Sequence, residues 1–231
     1  MIVDILYPPR CPLCDEVLFP GQKICDECAP EVKLMREPVC KKCGKSITDE
    51  RREFCIDCGR KKHSYCQGKA VFVYEGKIKN SMYRFKYANK REYAAFYAEE
   101  AAFLYKDWVR KKQIEAILPV PMYFWKKRRR GYNQAEVFAE HLGRKLNVPV
   151  DKKLVKRIRN TVPQKELNDV QRKSNLKNAF QLASDIVEYR QVLLVDDIYT
   201  TGSTIDEIAG VLSGAGVKNI YYICISIGSG Y

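Results

Sequence analysis

The sequence lacks a long hydrophobic run and a secretory leader. No stretch of its 231 residues approaches the roughly 20 consecutive apolar residues that a transmembrane helix requires, which excludes an α-helical membrane protein. The segment before Pro8 is too short for a signal peptide and contains the acidic Asp4. We therefore expect a cytoplasmic protein with no insertion into a membrane.

Low-complexity segments are also missing, and the only internal repeat is a series of cysteine pairs. Hydrophobic residues make up 46% of the chain, which excludes wholesale disorder and provides enough apolar side chains for a packed core. The length fits one ordinary domain with a smaller module beside it.

Negative charge is scarce in the middle of the chain. Residues 67–134 hold 16 Lys and Arg against 6 Asp and Glu, a formal +10 within a total of +13, whereas residues 1–66 are nearly balanced. Such a surface suits a phosphorylated small molecule or a nucleic acid. On net charge alone, a role in solubility is the favoured interpretation.

The composition changes near residue 66, where we predict a boundary between a small module at 1–66 and a larger domain at 67–231. Cysteine, proline and glycine punctuate the first part, and apolar runs alternate with helical patterns in the second. This alternation predicts an α/β domain with a parallel sheet flanked by helices. The predicted strands are 69–74, 116–120, 192–195 and 220–227, and the predicted helices are 91–112, 133–146 and 203–213, with Asn133 and Glu136 as a capping box.

Eight of the ten cysteines form four C-x-x-C pairs at nearly even spacing. Two thiolates three positions apart bind one face of a zinc ion from a tight turn, so four pairs predict two tetrahedral sites with four cysteines each. We expect the pairs to combine in sequence, first with second and third with fourth, and an interleaved arrangement is the alternative. Because four thiolates leave no position open for water, we expect structural zinc that helps the small module to fold. The predicted ligands are Cys11, Cys14, Cys25, Cys28, Cys40, Cys43, Cys55 and Cys58.

A redox-active C-x-x-C motif is the competing interpretation, but that motif normally occurs once, in a βαβ unit. Gly44 and Gly59 each follow the second cysteine of a pair, where positive φ would turn backbone N–H groups toward sulfur. Cys66 and His63 could replace one pair of ligands, although a free thiol is the simpler interpretation of Cys66. Cys224 lies in an apolar run and is expected in the core.

The segment from Val192 to Thr204 joins an apolar strand, two adjacent carboxylates and a turn rich in glycine and hydroxyl groups to a helix. Backbone N–H groups at a helix N-terminus bind phosphate, and two carboxylates at a strand end can hold ribose hydroxyls directly or through Mg²⁺. The pattern resembles the phosphoribosyl pyrophosphate signature of type I phosphoribosyltransferases. That resemblance implies Asp196 and Asp197 as candidate catalytic and ligand-binding residues. The other implied contacts are Thr200, Thr201, Gly202, Ser203 and Thr204.

A run of five cations follows the second predicted strand and should lie near the same edge of the sheet. It consists of Lys126, Lys127, Arg128, Arg129 and Arg130, with Tyr123, Phe124, Trp125 and Tyr132 beside it. Cations that follow phosphates and rings that stack on bases are typical of single-stranded DNA grooves. A solvated loop with its aromatic residues anchored in the core is an equal alternative.

Further segments narrow the resemblance to one family. Leu118-Pro-Val-Pro121 leads into Arg130-Gly-Tyr-Asn-Gln134, and Arg157 and Arg159 precede Gln164, Arg172, Asn175 and Ala179-Phe180. Together with the opening Leu6–Cys14 stretch, these segments resemble the ComF family of late-competence proteins over nearly the whole chain. The resemblance implies a zinc-ribbon head, a phosphoribosyltransferase-like domain and a role in DNA uptake during natural transformation. The second set of four cysteines is not universal in that family.

Three functions are compatible with these features. The first is a magnesium-dependent phosphoribosyltransferase, for which the sequence shows no acceptor site. The second is a non-catalytic protein that uses the same pocket, binds single-stranded DNA and docks a competence helicase or translocase through its zinc module. The third is a nucleobase salvage enzyme. Turnover needs an acceptor, so a screen of acceptors separates the first function from the second.

Overall fold

The cysteine module consists of turns and short bridges. The computed structural model describes residues 8–160, 176–183 and 188–228. An antiparallel bridge between Arg10 and Val17 encloses the first cysteine pair, and a second bridge between Val39 and Ser46 encloses the third pair. A 3₁₀ turn at Ala29–Glu31 follows the second pair.

A parallel sheet with four strands lies at the centre of the molecule. The described strands are β1 (Gln67–Val73), β2 (Ala116–Pro119), β3 (Val155–Arg157), β4 (Phe180–Leu182), β5 (Gln191–Tyr199) and β6 (Asn219–Ile227). The order in the sheet is β1-β6-β5-β2, and β3 and β4 form a separate antiparallel pair. All four predicted strands are confirmed as members of the parallel sheet, whereas the small pair was not predicted.

Helices cover both faces of this sheet. The described helices are α1 (Ile56–Arg60), α2 (Gly76–Tyr87), α3 (Tyr93–Lys111), α4 (Phe124–Arg130), α5 (Gln134–Leu146) and α6 (Ser203–Gly214). Helices α3, α5 and α6 agree with the predictions to within two residues. Helices α2 and α4 were not predicted. The first residue of α2, Gly76, belongs to a predicted turn, and the last turn of α4 contains four consecutive cations that resemble a solvated loop. Among the described helices, none is long and apolar enough to cross a membrane.

Strand β5 is longer than its apolar run suggested. It pairs with β6 in parallel register as far as Tyr199 opposite Ile227. The nine residues of β6 extend the ladder, so Asp196 and Asp197 lie inside the last part of β5 rather than after its end. Their side chains still stand near the carboxyl edge of the sheet, where ligands of open α/β sheets bind.

Asn133 caps α5 as predicted. Its side-chain oxygen accepts a hydrogen bond of 3.1 Å from the N–H of Ala135, and its amide donates to the carbonyl of Val120 over 2.9 Å. Glu136 bonds to the side-chain amide of Asn133 over 3.3 Å, so it supports the cap without completing a capping box.

The two halves of the cysteine module contribute to opposite faces of the sheet. Because side chains alternate along a strand, Leu194 and Val195 of β5 point into different cores. Leu194 shares its core with Cys43 and helix α6, whereas Val195 shares its core with Cys28 and helices α2, α3 and α5. The predicted boundary at residue 66 stays a prediction, since both halves of the module pack against the larger domain.

Candidate functional site

The eight paired cysteines form two quartets, which we call the first and the second quartet. All four Sγ atoms of each quartet lie within 4.8 Å of one another. A tetrahedral zinc ion with bonds of about 2.3 Å to sulfur sets its ligands about 3.8 Å apart. The Sγ atoms of Cys14 and Cys25 are 3.6 Å apart, and those of Cys43 and Cys55 are 3.7 Å apart. The donor set and these distances fit zinc.

The quartets combine the cysteine pairs in sequence. The first quartet is Cys11, Cys14, Cys25 and Cys28, and the second is Cys40, Cys43, Cys55 and Cys58. This arrangement confirms the sequential pairing and excludes the interleaved alternative. Cys66 and His63 lie in neither quartet. Cys66 is exposed and Cys224 is buried in the core, as expected.

The two glycines that follow cysteine pairs differ in their roles. Gly44 has a φ of +73° and lies so close to β1 that an added Cβ would be 2.9 Å from the carbonyl oxygen of Gly68. Gly59 instead lies inside helix α1, where its N–H donates to the carbonyl of Cys55 over 2.9 Å. The prediction of positive φ was therefore correct for Gly44 and wrong for Gly59, because a short helix replaces the second turn.

The two carboxylates near the end of β5 have different surroundings. Burial raises the pKa of Asp196 to about 7, and the adjacent carboxylate of Asp197 adds to the rise. Asp197 forms an ion pair of 2.9 Å with the ammonium group of Lys86, which comes from helix α2. The backbone N–H of Asp197 donates to a carboxylate oxygen of Asp196 over 2.8 Å. Asp197 is thus paired with a cation, whereas burial disfavours the charged form of Asp196.

Several cations surround this acid pair. The charges of Lys86 and Arg157 both favour ionised Asp196, although burial outweighs them. Lys126 is half-buried, and its pKa is lowered by burial and by the nearby charges of Arg157, Arg130, Arg129 and Lys86, in that order. Lys86 of α2 and Arg157 of β3 therefore lie near the carboxylates of β5, and Lys126 of α4 lies near these two cations. Such a group can accept an anion with several phosphate charges together with a divalent cation.

The loop between β5 and α6 forms the second part of the site. Gly202 is the N-cap of α6, with a φ of +79°, and no side chain in the described parts of the chain caps this helix end. The hydroxyl groups of Thr201 and Ser203 lie 3.0 Å apart. A small cleft of about 20 Å³ opens onto the loop. Its lining is Asp196, Ile198, Tyr199, Thr200, Gly202, Ser203, Thr204 and Ile205.

Residues before β1 hold this loop in place. The ammonium group of Lys61 lies 3.4 Å from the carbonyl oxygen of Thr201. An imidazole nitrogen of His63, Nδ1, lies 2.7 Å from a carboxylate oxygen of Asp206 in the first turn of α6. The backbone N–H of Ser64 donates to the other oxygen of Asp206 over 2.9 Å. Sequence reasoning missed these contacts, because they join positions about 140 residues apart.

A larger cavity adjoins the loop beside α6. Its volume is about 660 Å³, and it shares Ser203 with the small cleft. Its lining combines Lys61, Lys62, Ser64, Lys177, Ser203, Asp206, Glu207, Gly210 and Val211. The cavity has the volume of a small-molecule site. Its lining contains both cations and acids, so neither sign of charge dominates it.

The five predicted DNA-binding cations lie on and around the short helix α4. Lys127 pairs with Glu136 over 2.6 Å, and Arg130 donates to the side-chain oxygen of Gln134 over 2.9 Å. Arg128 and Arg129 are exposed. The run is therefore helical, and its members differ in exposure. Arg128 and Arg129 face solvent, whereas Lys126 is half-buried among other cations.

The aromatic residues near α4 divide into buried and exposed groups. Phe124 and Trp125 are 61% and 62% exposed, whereas Tyr132 is 4% exposed and packs against Phe85. Tyr132 therefore cannot stack on a base, which agrees with the alternative in which aromatic residues are anchored in the core. Tyr83 and Tyr87 on α2 are exposed, and their ring centroids are 5.0 Å apart.

The family positions can be placed only in part. Arg157 ends β3 near the acid pair, and Arg159 donates to the carbonyl of Lys177 over 3.0 Å. Gln164, Arg172 and Asn175 lie outside the described residues. Lys86 was missed entirely, because an isolated lysine in an amphipathic helix carries no sequence signal that separates it from a solvated one.

Two family models match parts of this sequence. A double zinc ribbon domain matches residues 2–59, and a phosphoribosyl transferase domain matches residues 133–228. The two matches correspond to the cysteine quartets and to the part of the chain that includes β5 and its loop.

Curated relatives are competence and DNA utilization proteins. Competence protein F of Haemophilus influenzae is 42% identical over 59% of this chain and 62% of its own length. DNA utilization protein YhgH of Escherichia coli K12 is 39% identical, over 48% of this chain and 49% of its own. Competence protein ComFC of Bacillus subtilis is 27% identical, over 60% of this chain and 55% of its own length. The chain thus spans about half to three fifths of these relatives.

Solved structures with a similar arrangement include phosphoribosyltransferases. The purine phosphoribosyltransferase of Pyrococcus horikoshii aligns with a TM-score of 0.34 and 16% identity, over 56% of this chain and 72% of the other. The hypoxanthine phosphoribosyltransferase of Trypanosoma cruzi aligns with a TM-score of 0.35 and 15% identity, over 58% of this chain and 65% of the other.

Proposed function

We propose that this chain, a relative of the ComF competence proteins with a double zinc ribbon and a phosphoribosyltransferase-type domain, binds phosphoribosyl pyrophosphate with Mg²⁺ and acts in DNA uptake. The ligand proposal depends on one observation. An acid pair and a glycine-bearing helix N-terminus lie side by side at the carboxyl edge of the sheet, with cations from α2 and β3 beside the acids. The role in DNA uptake is proposed by analogy with the relatives' names.

Each part of the site would contact a different part of the ligand. The first-turn N–H groups of α6 suit the 5′-phosphate, because they are polar donors at the positive end of a helix. Asp196 and Asp197 suit the ribose hydroxyls and a hard divalent cation, which prefers carboxylate oxygens. Lys86, Lys126 and Arg157 suit the pyrophosphate charges. Both Mg²⁺ and the ligand would compete with the ion pair between Lys86 and Asp197, which lies across this site at 2.9 Å.

Binding and turnover have different requirements. In turnover, an acceptor nucleophile would form a bond to the anomeric carbon while the bond to the pyrophosphate oxygen breaks, and pyrophosphate would leave with both bonding electrons. Binding needs only the acids, the loop and the cations. Release of pyrophosphate with Mg²⁺, measured with and without single-stranded DNA and with free nucleobases, distinguishes a transferase, a binding protein and a salvage enzyme.

The acid pair provides the direct test of ligand binding. We expect calorimetry to detect Mg²⁺-dependent binding of phosphoribosyl pyrophosphate, and we expect Asp196→Asn with Asp197→Asn to weaken it at least 100-fold. Both changes conserve volume, so the fold should survive. The control is Asp107→Asn, an exposed acid on α3 whose partner is Arg110. A double variant that binds as tightly as the parent would overturn the proposed site.

Single-stranded DNA binding is a second candidate function. Helices α2 and α4 together present exposed rings and exposed cations on one continuous surface. The guanidinium group of Arg130 lies 4.9 Å from the ring centroid of Tyr87, and that of Arg128 lies 5.9 Å from the ring centroid of Trp125. Bases stack on exposed rings, and arginines both stack on bases and neutralise phosphates.

Two pairs of substitutions separate charge from stacking on this surface. Arg128→Gln with Arg129→Gln should reduce the slope of log affinity against log salt by about 1.4, because each lost contact to a single strand changes it by about 0.7. Tyr83→Ala with Tyr87→Ala should lower the affinity and leave the slope unchanged. Arg110→Gln with Lys111→Gln, at the exposed end of α3, is the charge-matched control. Equal effects of both charge pairs would show that the protein attracts DNA by net charge alone.

The helicase or translocase partner stays a prediction. A contact through the zinc module would be detected as loss of binding to such a partner when surface residues of that module are changed.

A further inference from the structure

We call residues 200–202, between β5 and α6, the phosphate loop, after the ligand group proposed for it. The second quartet is joined to this loop by a buried group of three tyrosines, Tyr65, Tyr199 and Tyr222, which we call the tyrosine cluster. The hydroxyl of Tyr222 donates to the carbonyl of Cys43 over 2.7 Å. The rings of Tyr199 and Tyr222 stack with centroids 4.9 Å apart and an interplanar angle of 4°. The hydroxyl groups of Tyr65 and Tyr199 lie 2.8 Å apart. All three side chains are less than 5% exposed.

The loop rests directly on this cluster. An added Cβ at Gly202 would lie 2.4 Å from the hydroxyl oxygen of Tyr199 and 2.9 Å from its ring, so the backbone of Gly202 sits as close to that ring as packing permits. Tyr199 therefore cannot shift toward the loop without displacing the backbone at the N-cap of α6. The first-turn N–H groups of α6, which lack partners within the helix, directly follow Gly202, so their placement depends on it.

A second connection runs outside the cluster. Residues 61–65 follow Cys58 almost immediately and contact the loop and α6 through Lys61, His63 and Ser64, as described above. His63 also stacks on Tyr65 with ring centroids 4.8 Å apart. Zinc in the second quartet would hold Cys43 and Cys58 together, and these two cysteines are the starting points of both connections.

We propose that the second quartet positions the phosphate loop, with Tyr65, Tyr199 and His63 as positioning residues. Zinc in this quartet is then more than a folding aid, because its loss would release the loop on which ligand binding depends. The inference about ligand affinity rests on the proposed function, whereas the inference about loop order does not.

The first quartet provides an internal comparison, because it contacts a different part of the molecule. The ammonium group of Lys77 lies 3.4 Å from the Sγ atom of Cys28, Ser81 donates to the carbonyl of Pro12, and Arg84 donates to the carbonyl of Leu13. All three donors belong to α2, the helix that also carries Lys86. Loss of zinc from the first quartet should therefore loosen α2 and spare the loop.

Hydrogen exchange of two matched variants tests this difference. Cys25 and Cys58 are both half-buried members of their quartets. In Cys58→Ser we expect at least tenfold faster amide exchange in residues 199–206 and unchanged exchange in residues 76–87. Cys25→Ser should give the reverse. The proposal is overturned if Cys58→Ser loses its zinc without faster exchange in residues 199–206, or if both variants alter the two segments equally.

A milder variant covers the case in which Cys58→Ser does not fold. Tyr65→Phe keeps the ring and the zinc ligands and removes only the hydroxyl that meets Tyr199. We expect unchanged zinc content, faster exchange in residues 199–206 and about tenfold weaker binding of phosphoribosyl pyrophosphate. Tyr105→Phe is the control, since its hydroxyl bonds to the carbonyl of Ala70 elsewhere on the sheet.

The two arms of this experiment fail separately. If the parent protein binds no phosphoribosyl pyrophosphate, the proposed function fails and the exchange data still decide the coupling. If the parent binds the ligand and Tyr65→Phe binds it equally well with unchanged exchange, the coupling fails and the proposed function stands.

Discussion

Replacement of Gly202 by alanine tests how closely the phosphate loop depends on its packing. The residue has a φ of +79°, and the new methyl group would lie 2.4 Å from the hydroxyl oxygen of Tyr199. The left-handed conformation costs an alanine about 1–2 kcal/mol. Displacing Tyr199 breaks its hydrogen bond to Tyr65 and leaves a buried hydroxyl unpaired, at about 1–3 kcal/mol. We therefore expect Gly202→Ala to lower the free energy of unfolding by roughly 2–5 kcal/mol.

The same helix contains a matched control. Gly210 lies in the interior of α6, is exposed, and has no heavy atom within 4 Å of an added Cβ. Alanine should therefore raise the free energy of unfolding there by about 0.5–1 kcal/mol, because it reduces the conformational freedom of the unfolded chain. The same change from glycine to alanine should thus lower the free energy of unfolding at one position and raise it at the other.

Urea unfolding followed by far-UV circular dichroism measures both changes, provided that the slope against denaturant stays constant. Hydrogen exchange in residues 199–206 locates the effect of Gly202→Ala. The reasoning is refuted if the free energy of unfolding of Gly202→Ala lies within about 0.5 kcal/mol of the parent value, a difference typical of a neutral surface substitution. It is also refuted if Gly210→Ala destabilises the protein as much as Gly202→Ala.

Three further predictions follow from the same contacts. Elemental analysis should find two zinc ions per chain, one for each quartet, and the detection of ten reactive thiols in the native protein would contradict this. Because burial raises the pKa of Asp196 from 3.8 to about 7, the folded state binds more protons than the unfolded state between these values, so stability falls as pH rises through this window. Asp196→Asn should remove that fall and raise the free energy of unfolding at pH 8, and an unchanged pH dependence would show that Asp196 titrates normally. Asn133→Ala should cost about 1–3 kcal/mol in the free energy of unfolding, because it removes the cap of α5 and leaves the carbonyl of Val120 without its partner.

The sequence predicted the features whose chemistry is local. The spacing of the cysteine pairs indicated both quartets, because ligands three residues apart approach one metal ion from a single turn. The apolar run before Asp196 indicated a central parallel strand, and the glycine and hydroxyl residues after it indicated the start of a helix. These inferences needed only neighbours along the chain.

Other features depend on contacts between distant positions, and no local pattern reveals them. Lys86 of α2 pairs with Asp197 of β5, and Tyr65 meets Tyr199 across 134 positions of the chain. Two alternatives stayed open for Tyr132 for the same reason. An aromatic residue beside five cations resembles a stacking surface in sequence, whereas its ring packs in the core against Phe85.

The topology explains why the loop needs support from outside the sheet. Strand β5 lies between β6 and β2, so its backbone is fully paired up to the acids, but the residues after Tyr199 leave the ladder. To bind a phosphate as proposed, a loop at this edge must place its N–H groups precisely. Contacts from residues 61–65 provide the missing constraints, and the second quartet fixes the start of that segment. A related chain with only the first quartet would therefore need another group in the position of Tyr65 to hold its phosphate loop, and we expect a buried side chain that contacts the residue equivalent to Tyr199 there.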